Sequence, residues 1–154
     1  MKITTATNPA YDLIKKYEGL VLYEYDAHDG ERTIGYGNAL KDNEHYPLGI
    51  TPQVALMMLY EDVQEVEEAL NKYVTADINQ NQYNALTSLV YNIGKSAFKK
   101  SKALKYLNNN DYINAAYEFF SIEKGFVYID HKVSKGLAKR RSEENALFNS
   151  VVLI

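Results

Sequence analysis

Apolar positions change period several times along the chain, and each change marks an element. Leu13, Ile14 and Tyr17 form a short apolar face behind Asn8-Pro9. That pair reads as an N-cap with proline at the first helical position, and Gly19 can end the helix. A brief helix over 9–18 is therefore expected. From Val21 to Tyr36 the pattern becomes β-branched and aromatic around His28-Asp29-Gly30. Asp-Gly is a strong hairpin signal, so short strands over 20–25 and 32–36 are expected on either side. Gly35 and Gly37 stand at alternate positions, where a backbone can bend or approach a ligand closely.

Residues 38–50 are polar, contain Pro47 and Gly49, and read as a loop. Thr51-Pro52 then caps a stripe of Ala55, Leu56, Leu59, Val63, Val66 and Leu70 at threes and fours, which predicts about twenty helical residues. Asn79 starts another helix, with Tyr83, Leu86, Val90 and Ile93 on one face, stopping at Gly94. Shorter helices are expected over 96–107, 111–121 and 134–149, with Asp111 and Ser134 as caps. The stretch 122–133 has no readable period. The sum is an α+β, mainly helical chain read as a single domain over 1–154. A small β-hairpin lobe spans about 19–50. A long connecting helix leads into a helical lobe over about 51–154, joined by the first helix. That arrangement leaves a cleft between the lobes.

Composition narrows the chemistry. The 154 residues, 46% hydrophobic, are enough to build a core. Without cysteine there is no disulfide framework, no thiolate zinc site and no thiol nucleophile. His28, His45 and His131 are not paired at helical spacing, so neither a metal nor another cofactor is expected. No run reaches the length of a spanning helix, and the N-terminus lacks the apolar stretch of a secretory signal. The expectation is a chain that stays in the compartment where it is made. Charge is segregated: residues 1–91 hold 6 basic and 14 acidic side chains, and residues 92–141 hold 11 and 4. Such halves can simply attract each other, or the basic one can meet an anionic polymer. Nucleic acid is not expected, since no recognised nucleic-acid motif accompanies the charge.

Glu18 is the first candidate for chemistry. It closes the first helix just before a hairpin that ends in Thr33-Ile34-Gly35-Tyr36-Gly37. That order resembles the phage-type lysozymes, the endolysin muramidases of glycoside hydrolase family 24. Lys16–Leu20 resembles the family's acid-bearing segment, and residues 33–37 its second strand. Residues 80–98 and 101–120 are similar to its central helices. Gly136–Arg141, with Glu143, Ala146, Leu147 and Phe148, resembles its C-terminal arginine helix. Five segments in the right order cover nearly the whole chain.

The resemblance implies the fold of that family and hydrolysis of the β-1,4 bond between N-acetylmuramic acid and N-acetylglucosamine in peptidoglycan. Such a reaction needs one carboxylic acid to protonate the leaving oxygen and a second group to position or activate water. By resemblance Glu18 is the acid and Thr33 holds the water. The family's aspartate position, counted without gaps, falls on Ala27, which can be neither base nor nucleophile. Asp26, Asp29 and His28 are the neighbouring substitutes. Asp26 is the expected partner, although in a regular strand it would need a bulge to turn inward. Asn38 stands where many relatives carry histidine, so an ionic contact is expected to be lost beside the cleft. Tyr36 and Tyr128 are candidate sugar-stacking residues in a chain without tryptophan. The basic half gains a purpose in attraction to an anionic wall, and either Arg140 or Arg141 is a candidate to reach an acidic group near Glu18.

The reading is an endolysin that acts on bacterial peptidoglycan and brings about host lysis. It is expected to be a monomer without stable membrane insertion, held in the host cytoplasm until a separate holin-type pore-former opens the way. The alternative is a muramidase-like module that binds the wall without cutting it, with Ala27 marking the loss of chemistry.

Overall fold

A computed structural model describes residues 1–27 and 29–152. Helix α1 (Asn8–Glu18) leads into strands β1 (Val21–Asp26), β2 (Arg32–Gly35) and β3 (Asn38–Ala39). The long helix α2 (Pro52–Tyr73) follows. Then come α3 (Gln80–Ile93), α4 (Lys95–Lys100), α5 (Lys102–Asn108) and α6 (Tyr112–Phe120). A second hairpin, β4 (Tyr128–Ile129) and β5 (Lys132–Val133), precedes the last helix α7 (Lys135–Phe148). The first three strands form one antiparallel sheet in the order β1-β2-β3.

Local chemistry explains most boundaries. Thr51 accepts the Val54 amide at the start of α2, and Asn79 and Gln82 close a reciprocal capping box at α3. Asp111 and Ser134 cap α6 and α7 by accepting the Asn114 and Leu137 amides. The expected cap at Asn8 is corrected: Asn8 is already helical and Thr7 is the N-cap, without a side-chain cap bond. The Thr7 hydroxyl instead accepts from Asn84 Nδ2 at 2.7 Å, tying α1 to α3. One expected helix over 96–107 is two, broken at Ser101, whose hydroxyl caps α5 through the Leu104 amide. The expected loop after Gly37 holds the third strand β3, and the unreadable stretch holds the β4–β5 hairpin. That hairpin turns at Asp130 and His131, both at positive φ, in the left-handed backbone typical of a tight turn.

The core is largely helical. Leu86 and Leu89 of α3 are completely buried, together with Phe98, Leu107 and Phe119. A smaller cluster of Ile14, Leu59 and Val63 joins α1 to α2, with Tyr36 packed against it. It sets the end of α1, and with it Glu18, beside the hairpin sheet. Among the described residues no helix is long and apolar enough to cross a membrane.

Candidate active site

Glu18 is the last residue of α1, and Gly19 takes a positive φ immediately after it. Its side chain is 21% exposed, and Oε1 accepts Arg140 Nη1 at 2.7 Å. Arg140 is almost wholly buried. Its Nε donates to Glu144 Oε1 at 3.1 Å, its Nη2 donates to the Ser88 carbonyl at 3.1 Å, and its plane lies over the Tyr17 ring. Glu144 has no solvent exposure and also takes hydrogen bonds from the Ser88 hydroxyl at 2.7 Å and from Arg141. Arg141 donates in addition to the Phe126 carbonyl and to Asn92. An unpaired charge at such depth would be very costly. Two arginines and a carboxylate satisfy one another there, and the network ends on Glu18.

The other side of Glu18 meets Gly37. Gly37 takes a positive φ, and a Cβ built there would lie 2.7 Å from Glu18 Oε2, so a side chain at 37 would strain the backbone and displace the carboxylate. Tyr25 also feels the Glu18 charge: burial chiefly, and then that charge, push its phenol above the ordinary range. Tyr17 is pushed up to about 12, mainly by burial and then by its hydrogen bond to Glu143.

A cavity of about 630 Å³ opens beside Glu18. Ala27 and Asp29 of the hairpin line it with Glu18. Asn92 at the end of α3, Tyr128 and Ile129 of the second hairpin, and Leu137 of α7 also border it. A neighbouring cavity of about 460 Å³ lies between β3, α2 and α3 and is bordered by Gly37, Asn38, Asp62 and Tyr91. There Asn38 Nδ2 donates to Asp62 Oδ2 at 2.7 Å, so the carboxylate keeps a hydrogen bond where an ionic contact was expected to be lost. Burial raises the Asp62 pKa, the Asn38 bond opposes that rise, and Glu65 and Glu61 add to it. Tyr91 is raised as well, chiefly by burial and then by Asp62 and Glu18, and its hydroxyl donates to the Tyr36 carbonyl at 2.6 Å.

The sequence-based candidates fall differently around these cavities. Glu18 lines the larger one; Asp26 and Thr33 are not among its described lining residues. Asp26 is exposed and pairs across the sheet with Arg32. The register of β1 against β2 shifts by two residues between Val21 and Tyr25, and an even shift keeps the alternation of faces, so it does not turn Asp26 inward. Thr33 is 5% exposed, and its hydroxyl donates to the Glu31 carbonyl at 3.2 Å. His28 lies outside the described residues. Tyr128 borders the cavity half-exposed, whereas Tyr36 packs into the α1–α2 cluster. Arg140, not Arg141, reaches Glu18, and both are buried, so neither belongs to the basic surface. The network around Glu144 had no sequence signal beyond two adjacent arginines near the chain's end. Among the described residues no group of three or more His, Cys, Asp or Glu side chains is arranged to hold a metal.

The family model described as "Phage lysozyme" matches residues 15–144. An endolysin of Acyrthosiphon pisum secondary endosymbiont phage 1 is 43% identical over 138 residues, covering 90% of this chain and 93% of that protein. An endolysin of Bacillus phage PZA is 42% identical over 141 residues, covering 90% of this chain but only 53% of its own length. Among solved structures, the muramidase domain of SpmX from Asticaccaulis excentricus aligns with a TM-score of 0.81 at 28% identity, over 97% of this chain and all of that one. With its mainly helical fold, small antiparallel sheet and helix-terminal Glu18 beside a cavity, this chain belongs to the phage lysozyme family.

Proposed function

We propose that the chain hydrolyses the β-1,4 N-acetylmuramic acid–N-acetylglucosamine bond of bacterial peptidoglycan and acts as an endolysin. The observation that carries the reading is Glu18, among the described residues the one carboxylate held at once by a buried arginine and open to the 630 Å³ cavity. Endolysins among its relatives support the same activity. Glu18 is the general acid that protonates the leaving oxygen as the glycosidic bond breaks. Arg140 fixes the carboxyl group and leaves Oε2 toward Gly37. The family resemblance assigns Thr33 to the attacking water, although Thr33 is buried and is not among the described lining residues of the cavity. Its hydroxyl proton is committed to Glu31, so its oxygen lone pairs are left to accept from that water. Attack by free water, without a covalent sugar–enzyme stage, gives inversion at the anomeric carbon.

In this reading the protein works as a monomeric domain, with the strands of residues 19–50 as one lobe and the helices as the other. It waits in the host cytoplasm and reaches the wall through a separate holin-type pore. The exposed Lys95, Lys99, Lys100, Lys102 and Lys105, with Lys132, Lys135 and Lys139, attract it to anionic wall. Mass spectrometry of digested peptidoglycan tests the assignment. Reducing N-acetylmuramic acid ends are expected. Reducing N-acetylglucosamine or anhydro ends would name a different bond or reaction, and intact wall with bound protein would leave a non-cutting module.

A further inference from the structure

Ala27 leaves Glu18 without the second carboxyl group that most glycoside hydrolysis employs. We propose that Asp29 supplies it, as the base that takes the proton of the attacking water; this rests on the hydrolase reading above. Asp29 and Glu18 line the same cavity, and Ala27 borders it with them. The hairpin loop explains how. The Gly30 amide bonds the Ala27 carbonyl at 2.8 Å, closing a turn that carries Asp29 at its third position. Asp29 Oδ1 accepts the Glu31 amide at 3.1 Å, which fixes the side chain without using Oδ2.

The same residue gathers the other participants. The Glu31 carbonyl accepts the Ala27 amide at 2.8 Å and the Thr33 hydroxyl at 3.2 Å. Thus the group that orients water and the group that deprotonates it are hung from one residue, Glu31. Asp26 differs from Asp29 in that it lies in regular register with Arg32 and is not among the described lining residues of the cavity.

The step balances. The water oxygen bonds to the anomeric carbon while Asp29 takes one of its protons. The bond from that carbon to the leaving oxygen breaks, and Glu18 gives its proton to that oxygen. Asp29 ends protonated and Glu18 ionised, and exchange with solvent restores both.

The test is kcat and KM on solubilised, uncrosslinked peptidoglycan for the parent, Asp29→Asn, Asp26→Asn and Asp29→Asn combined with Ala27→Asp. Asparagine at 29 keeps an oxygen for the Glu31 amide, so the turn is retained, and a thermal melt checks it. Asp29→Asn is expected to lose about 100-fold or more in kcat, the scale of a general base, with KM within about twofold of the parent. Asp26→Asn stays near the parent, and Ala27→Asp restores a measurable part of the lost kcat. An active parent with an equally active Asp29→Asn overturns the base role and leaves the hydrolase reading standing. So does a dead Asp29→Asn that Ala27→Asp fails to rescue. A parent that does not cut at all overturns both.

Discussion

Arg140 holds Glu18 through Nη1 at 2.7 Å and is itself held through Nε by Glu144 at 3.1 Å. The acid at the cavity is thus anchored to a carboxylate with no exposure in α7. Removing one member of a buried, hydrogen-bonded pair leaves its partner charged and uncompensated. Arg140→Met is therefore expected to lower the unfolding free energy by about 3–5 kcal/mol and to reduce wall lysis as well. Urea denaturation followed by circular dichroism reads the first effect. A midpoint equal to the parent's would show that Glu144 does not depend on Arg140.

Gly37 has a positive φ, and an added methyl would meet Glu18 Oε2 at 2.7 Å. Gly37→Ala is strained in its backbone, at a cost of about 1–3 kcal/mol, and it also pushes the acid from its place. Lysis is expected to fall at least tenfold in a protein that still melts cooperatively. Full activity with an ordinary melting temperature would mean that Glu18 has freedom to move aside.

Asp62 makes stability depend on pH in a definite direction. Burial raises its folded pKa above the unfolded value, so its ionised form is the disfavoured one in the fold. Its contribution is best below the unfolded pKa and is lost as pH rises through the folded pKa. Asp62→Asn cannot ionise and can still accept from Asn38. It should melt above the parent at neutral pH, with the gap closing as pH falls into the ordinary carboxylate range. Thermal melts across that range check this, and a variant that melts lower at neutral pH would contradict it.

The exposed lysines predict a salt effect. Attraction between solvent-exposed charges and a polyanion is screened over about 8 Å at physiological ionic strength and less at higher salt. The initial rate of wall clearing should fall steadily as sodium chloride is added. Clearing that is flat across the series would remove the lysine surface from the account.

Helices defined by local signals were legible in the sequence. The α2 stripe, the capping residues Thr51, Asn79, Asp111 and Ser134, and the Asp29-Gly30 hairpin each act within a few residues, and each lies where it was expected. The elements missed were short or nonlocal. β3 has two residues and exists because Thr33 and Ile34 pair with Ala39 and Asn38. β4 and β5 have two residues each, too few for alternation to show. Which of Arg140 and Arg141 reaches Glu18 stayed open because sequence does not reveal that Glu144, Ser88 and Asn92 converge on them from a turn away and from another helix. The family resemblance singled out Glu18, which lines the cavity, and Thr33, which is not among its described lining residues. The other cavity-facing carboxylate was not legible, because choosing between Asp26 and Asp29 needs the strand register and the turn.

The most direct measurement is turbidity of purified peptidoglycan treated with the parent and with Glu18→Gln, both shown to be folded. The substitution removes the transferable proton and little else. Clearing by the parent and none by Glu18→Gln is the predicted result. Equal clearing by the two would contradict the assignment of Glu18 as the acid.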